Sequence, residues 1–241
     1  MGGGLVEIHY NDKNAAEVWQ KIERHMQLMR MPYQSLLKGC NIWLGKNPRP
    51  NVRSTNRGYY SPANKDIVIT ENGFYQNSSM ASDDMIIYMA TKTLGHEIGH
   101  HIHFSYLPYH SQAKRNPGRW KEWSEATGHE LQFERGDHFG NQGVVPAYEH
   151  FANDFRDWLM GLVGGTERKK FYYSLWGQEY IMKIELEIGS KIIKVDGVPK
   201  KMDVEPFIKD GRTFVPLRFV SEALGARVDW DAATEKVCVY K

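Results

Sequence analysis

Residues 83 to 104 carry Ile86, Ala90, Leu94, Ile98 and Ile102 at every fourth position, with His96 and His100 set almost opposite them. The apolar stripe predicts a helix buried along one side. Two imidazoles at i and i+4 stand about 5 to 6 Å apart at their Cβ atoms, so their ring nitrogens can converge on one ion. Glu97 is turned about 100° from His96, which sets it beside such an ion and not among its ligands. Ser82 is placed to cap the helix, and Asp83 and Asp84 fall in the first turn, where the helix dipole favours anions. Gly95 and Gly99 each cost about 1 kcal/mol relative to alanine in a helix interior, so they are expected to admit another backbone.

This spacing, His-Glu-x-x-His, is that of zinc hydrolases, in which the glutamate takes the proton of the attacking water. A catalytic zinc site needs a third protein ligand. Residues 146 to 160 predict a second amphipathic helix, with Phe151, Phe155, Leu159 and Leu162 on its buried side and Gly164-Gly165 ending it. Glu149 lies at its start and is expected to be the third ligand, with Asn153 one turn on, able to accept the free N–H of a ligand histidine. Asp154 would take that part if the helix were rotated. His103 and His150 compete for the third position. His103, however, lies about 10 Å along the axis from His96 at 1.5 Å per residue. The metzincin pattern would need glycine at position 103 and histidine at 106, where this chain has His103 and Tyr106. Tyr148, His129 and His138 are candidates for stabilising an oxyanion.

Upstream, a helix is expected from about residue 15 to 30, burying Val18, Ile22, Met26 and Met29, with Glu17 and Lys21 as an exposed i,i+4 pair. Asn41 to Leu44 reads as a strand. Gly58 to Thr70 reads as a hairpin turning at Pro62 to Asn64, and its Ile67 strand is either an open edge for an extended peptide or an internal strand. A basic loop over residues 46 to 57 and a polar loop over 71 to 82 separate these elements. Residues 105 to 146 read as loop-rich, with a short helix near Trp120 to Thr127, and are expected to wall a cleft.

With 31 Lys plus Arg against 29 Asp plus Glu, no global field favours nucleic acid or an anionic membrane. No run approaches 18 apolar residues, so no membrane span is expected. Cys40 and Cys238 stand far apart and are read as free thiols of a reducing compartment. The first residues lack the charged and apolar regions of a secretory signal, which points to the cytoplasm, with a virion or release by lysis as the alternative.

His96-Glu-Ile-Gly-His-His, followed by Glu149-His-Phe-Ala-Asn-Asp-Phe-Arg-Asp-Trp-Leu-Met160, resembles the ImmA/IrrE-type metallopeptidases over roughly residues 40 to 165. The resemblance implies a gluzincin-like zinc peptidase with Glu97 as general base. The chain departs from that pattern in a longer segment between His100 and Glu149 and in Arg156, where the family usually has alanine.

After Thr166 to Tyr180, an aromatic connector, the period switches to two at Met182, Ile184, Leu186 and Ile188, and Asp196-Gly197 signals a type I′ turn. Pro206 to Asp231 and Lys236 to Tyr240 resemble the N-terminal module of copper amine oxidases, which implies a stalk or binding module. The stretch has no histidine and one cysteine, too few ligands for copper.

The expectation is an α+β protein of two parts. Residues 1–178 would form a metallopeptidase domain with a small sheet and two metal-bearing helices, and residues 179–241 a small α+β module. The expected function is a zinc-dependent endopeptidase acting on a protein or peptide: Glu97 catalytic, Zn2+ on His96, His100 and Glu149, Asn153 behind them. The alternative is a metal-bearing attachment protein of a phage particle or bacterial envelope, held through the C-terminal module.

Overall fold

The computed structural model describes residues 6–10, 13–45, 57–75, 82–108, 110–113, 115–132 and 146–241, and it is mixed α+β. The chain divides into two compact units, Met1–Glu179 and Tyr180–Lys241.

The first unit opens with β1 (Glu7–Tyr10), α1 (Lys13–Leu28), α2 (Tyr33–Leu36) and β2 (Asn41–Leu44), then the hairpin β3 (Gly58–Ser61) and β4 (Asp66–Ile69). These strands form one sheet in the order β1-β2-β4-β3, parallel between β1 and β2 and between β2 and β4, antiparallel between β4 and β3. Every residue of β4 is buried, which accounts for its unbroken Ile67-Val68-Ile69 run. The Ile67 strand is therefore internal. Among the described residues the terminal strand on that side is β3, so of the two positions open to the Ile67 strand it takes the inner one, and Tyr59 and Tyr60 lie on the outer strand. Helix α1 buries Val18, Trp19, Ile22 and Met26, and Glu17 meets Lys21 at 3.6 Å.

A short helix, α3 (Glu71–Tyr75), begins where a polar loop was expected, and α4 (Asp83–Tyr106) follows. The Ser82 hydroxyl accepts the Met85 N–H at 3.4 Å, capping α4 as its sequence predicts. Then come α5 (His110–Ala113), α6 (Arg119–Thr127), α7 (Ala147–Leu159) and α8 (Thr166–Leu175), the last lying within the aromatic connector read from the sequence. Phe151 and Phe155 of α7 are buried with Trp120, Trp123, Trp158 and Tyr172 in an aromatic core. Leu162 is 53% exposed. Its place in the core is lost because α7 ends at Leu159, three residues before it, and the chain turns away at Gly161, whose φ of +72° is the left-handed value that ends helices.

The second unit holds a three-stranded antiparallel sheet, β5 (Ile184–Leu186), β6 (Ile192–Val195) and β7 (Val198–Lys201), then the pair β8 (Phe207–Lys209) and β9 (Arg212–Phe214). Helix α9 (Leu217–Ala223) leads to the hairpin of β10 (Arg227–Asp231) and β11 (Lys236–Tyr240). Asp196 and Gly197 join β6 to β7 with φ of +51° and +82°, as a type I′ turn requires. Among the described residues no helix is long and apolar enough to cross a membrane.

What brings α4 and α7 together is a missing side chain. A Cβ on Gly99 would stand 2.8 Å from Ala152 Cα and 3.0 Å from its carbonyl oxygen, so the two backbones touch there. Gly99→Ala gains about 1 kcal/mol of helix propensity. The backbone shift it forces costs about 1–3 kcal/mol. We predict a lower melting temperature and weaker metal binding in this variant; a melting temperature at or above that of the parent would contradict the contact.

Candidate metal centre

The approach at Gly99 sets the first turn of α7 over the last turns of α4. His96 and His100 project from one side of α4, their rings nearly perpendicular with centroids 4.6 Å apart and their Nε2 atoms 3.0 Å apart. Glu149 comes down from α7 with Oε2 at 3.3 Å from His96 Nε2 and Oε1 at 3.5 Å from His100 Nε2. One ligand atom from each residue lies within 4.8 Å of the other two. Glu149 is 3% exposed.

This donor set fits a divalent cation. Two imidazole nitrogens and a carboxylate face one another, His100 and Glu149 buried and His96 partly so, the combination that borderline first-row ions take. A second acid, Glu97, lies beside them and is only 6% exposed. Burial and then the neighbouring Glu149 charge push its pKa up to about 8, against the lowering effect of a hydrogen bond from the Tyr60 main-chain N–H. A cation held by Glu149 and the two histidines would offset the Glu149 charge that raises Glu97 and let that acid ionise. The nearest guanidinium of α7, that of Arg156, is engaged with Asp157 and Asn153.

The expected supporting residue is in place: Asn153 Oδ1 accepts the His96 Nδ1–H at 3.1 Å. Asp154 points elsewhere, accepting from Arg168 Nε at 3.0 Å and from the Tyr172 hydroxyl at 2.7 Å, so α7 has the rotation that suits Asn153. His103 is buried among Phe104, Trp120, Tyr148 and Phe151 and contributes no ligand to the cluster. His150 stacks on His129, on the Asp154 side of α7. Of the oxyanion candidates, Tyr148 stands next to the site, its ring 6.2 Å from that of His100. His129 is instead tied to Asp154 at 3.5 Å and stacked on Trp123. His138 lies outside the described residues.

The sheet supplies the other wall. A Cβ on Gly58 would stand 3.1 Å from both Cγ and Oε1 of Glu97 and 2.9 Å from Thr93 Cγ2, so a bare residue in β3 makes room for the acid. Two residues along, Tyr60 donates its main-chain N–H to Glu97, and its ring is pinned from below. His101 Nε2–H donates to the Leu36 carbonyl at 2.9 Å, which leaves Nδ1 to accept the Tyr60 hydroxyl at 3.0 Å. His101 is buried, and that burial lowers its pKa and keeps it neutral. Cys40 lies 3.6 Å from its ring; burial raises the thiol to about 11, so Cys40 is an inert packing group. Cys238, in the second unit, is likewise unpaired with another cysteine. The Gly58 and Tyr60 contacts escaped the sequence reading, although a glycine opening a tyrosine-rich strand was a signal of close approach.

Two outcomes follow from this geometry. A metal ion that occupies this cluster, at about 100 times its dissociation constant, should add about 2.7 kcal/mol of stability. Chelation should remove it, and His96→Ala, His100→Ala and Glu149→Ala should each abolish the one-to-one binding isotherm. In chelated protein, Glu97 has its pKa raised from 4.5 to about 8, so its stabilising protonation is complete below pH 4.5 and is lost as pH rises towards 8. Glu97→Gln should therefore melt close to the parent at pH 5 and above it at pH 8; an equal difference at both pH values would contradict the buried acid.

Comparison with known proteins adds the following. Residues 181–239 match the family described as the copper amine oxidase N-terminal domain. A second family model matches residues 41–160, the stretch from β2 to α7 that holds all five site residues. No curated protein and no solved structure matches the chain. The C-terminal unit is thus similar to a copper amine oxidase N-terminal domain, and the unit before it holds a cluster of His96, His100 and Glu149 able to bind a metal ion.

Proposed function

We propose that the protein is a zinc-dependent endopeptidase. The observation that carries this reading is the convergence of His96 Nε2, His100 Nε2 and Glu149 with a second buried acid, Glu97, one residue from the first ligand. The His-Glu-x-Gly-His and Glu-x-x-Ala-Asn patterns, which resemble those of ImmA/IrrE-type peptidases, support it. A divalent ion on these three residues would supply Lewis acidity and a water activated at neutral pH, and would offset the negative charge that raises Glu97.

The chain's own residues would do the rest. Glu97, held by the Tyr60 N–H and fitted under Gly58, would take a proton from the attacking water and return it to the leaving amine. Asn153 holds the His96 ring in a fixed orientation. Strand β3, next to α4, is the surface along which an extended peptide can add as a further strand. Tyr148, beside His100, is the nearest described candidate for steadying an oxyanion.

The resemblance of residues 181–239 to a copper amine oxidase N-terminal domain favours one second reading, a metal-bearing attachment protein. A site that only holds structure has no use for Glu97. Incubation with unfolded protein substrates should give chelator-sensitive cleavage, and Glu97→Gln should bind zinc yet cleave about 10²–10⁴-fold more slowly. Undiminished cleavage by that variant would refute the mechanism, and no cleavage by zinc-loaded parent would favour attachment.

A further inference from the structure

Arg156 lies across α4 towards the metal centre. Its Nε and Nη2 fork onto the Asp157 carboxylate at 2.7 and 3.0 Å, and its Nη1 donates to Asn153 Oδ1 at 2.8 Å. The same Asn153 oxygen is 3.1 Å from His96 Nδ1. Gly95 makes this route available: a Cβ there would stand 3.3 Å from Arg156 Cγ and 3.7 Å from its Cβ.

The donor and acceptor inventory then fixes two otherwise free choices. A guanidinium only donates and does not lose its proton at any pH a protein survives, so the Asn153 atom facing it must be the amide oxygen. An amide oxygen only accepts, so the His96 nitrogen that shares it must carry the ring proton. Nδ1 is therefore the N–H, and Nε2 presents its lone pair to His100 and Glu149. Asparagine alone would not impose this. With its amide turned over, its NH₂ would face His96, the ring proton would move to Nε2, and the ligand position would be blocked.

We propose that Arg156 is a positioning residue that, through Asn153, sets the tautomer in which His96 can bind a metal. The proposal rests on the reading of His96 as a ligand, so its test includes a signal from protein that holds no metal. In chelated full-length protein, ¹⁵N correlation spectra of the imidazoles should show His96 protonated at Nδ1. In Arg156→Ala the same ring should populate both tautomers, and zinc affinity should fall by about 10-fold. Arg156→Lys, which keeps one donor, should fall between. The double variant Arg156→Ala with Asn153→Asp should regain the Nδ1–H form, because a carboxylate accepts from either oxygen; a merely structural arginine would not be rescued this way. Folded Arg156→Ala with an unmoved His96 tautomer and unmoved zinc affinity overturns the proposal, as does failure of the double variant to restore the tautomer. Parent protein that binds no zinc sinks the ligand reading instead.

Discussion

The contact of two main chains at Gly99 and Ala152 is the constraint on which the site depends. Ridges of ordinary side chains keep helix axes 8–10 Å apart. A carboxylate on α7 reaches two imidazoles on α4 within 3.5 Å because a glycine lets the helices meet backbone to backbone. The register of that contact also selects which side of α7 faces inward. Glu149 and Asn153 fall towards the histidines, while Asp154 falls on the far side with Arg168 and Tyr172. The aromatic cluster of Trp120, Trp123, Phe151, Phe155 and Tyr172 holds this rotation by burying the Phe151 and Phe155 side of α7.

A second close approach, from the sheet, controls the acid that would do the chemistry. Glu97 cannot be buried without partners, and the partners come from β3: space from Gly58 and a main-chain donor from Tyr60. The neutral His101 fastens Tyr60 to the Leu36 carbonyl, so the sheet and α4 are joined by a hydrogen-bonded chain that avoids burying a charge. Consecutive histidines of one sequence run thus serve opposite purposes. His100 faces the polar cluster and His101 the core, 100° apart on the helix.

Much of this was legible in the residues. The four-residue period of Ile86 to Ile102 marked α4, Ser82 marked its start, and one turn of spacing put Glu149 and Asn153 on the same face of α7. The sequence also pointed to close approach at Gly95 and Gly99. It did not say that one glycine meets a backbone and the other an arginine stem, because that depends on the crossing of the two helices. The Tyr60 N–H was invisible for a simpler reason: every residue but proline carries the same donor. Edge and interior stayed open for the Ile67 strand because an unbroken Ile67-Val68-Ile69 run is compatible with either position in a hairpin, and only the parallel pairing with β2 makes it internal. Leu162 kept the period of α7 but fell beyond Gly161, and local backbone geometry overrode the pattern.

The C-terminal unit, similar over residues 181–239 to a copper amine oxidase N-terminal domain, brings no histidine of its own. The proposed chemistry rests on α4 and α7, and on one ion binding His96, His100 and Glu149 together. Anomalous diffraction from zinc-loaded crystals, collected on both sides of the zinc edge, tests this most directly. A single site bonded to two imidazole nitrogens and a carboxylate oxygen at about 2.0–2.2 Å is expected. A site elsewhere, or one on the two histidines with Glu149 turned away, would contradict it.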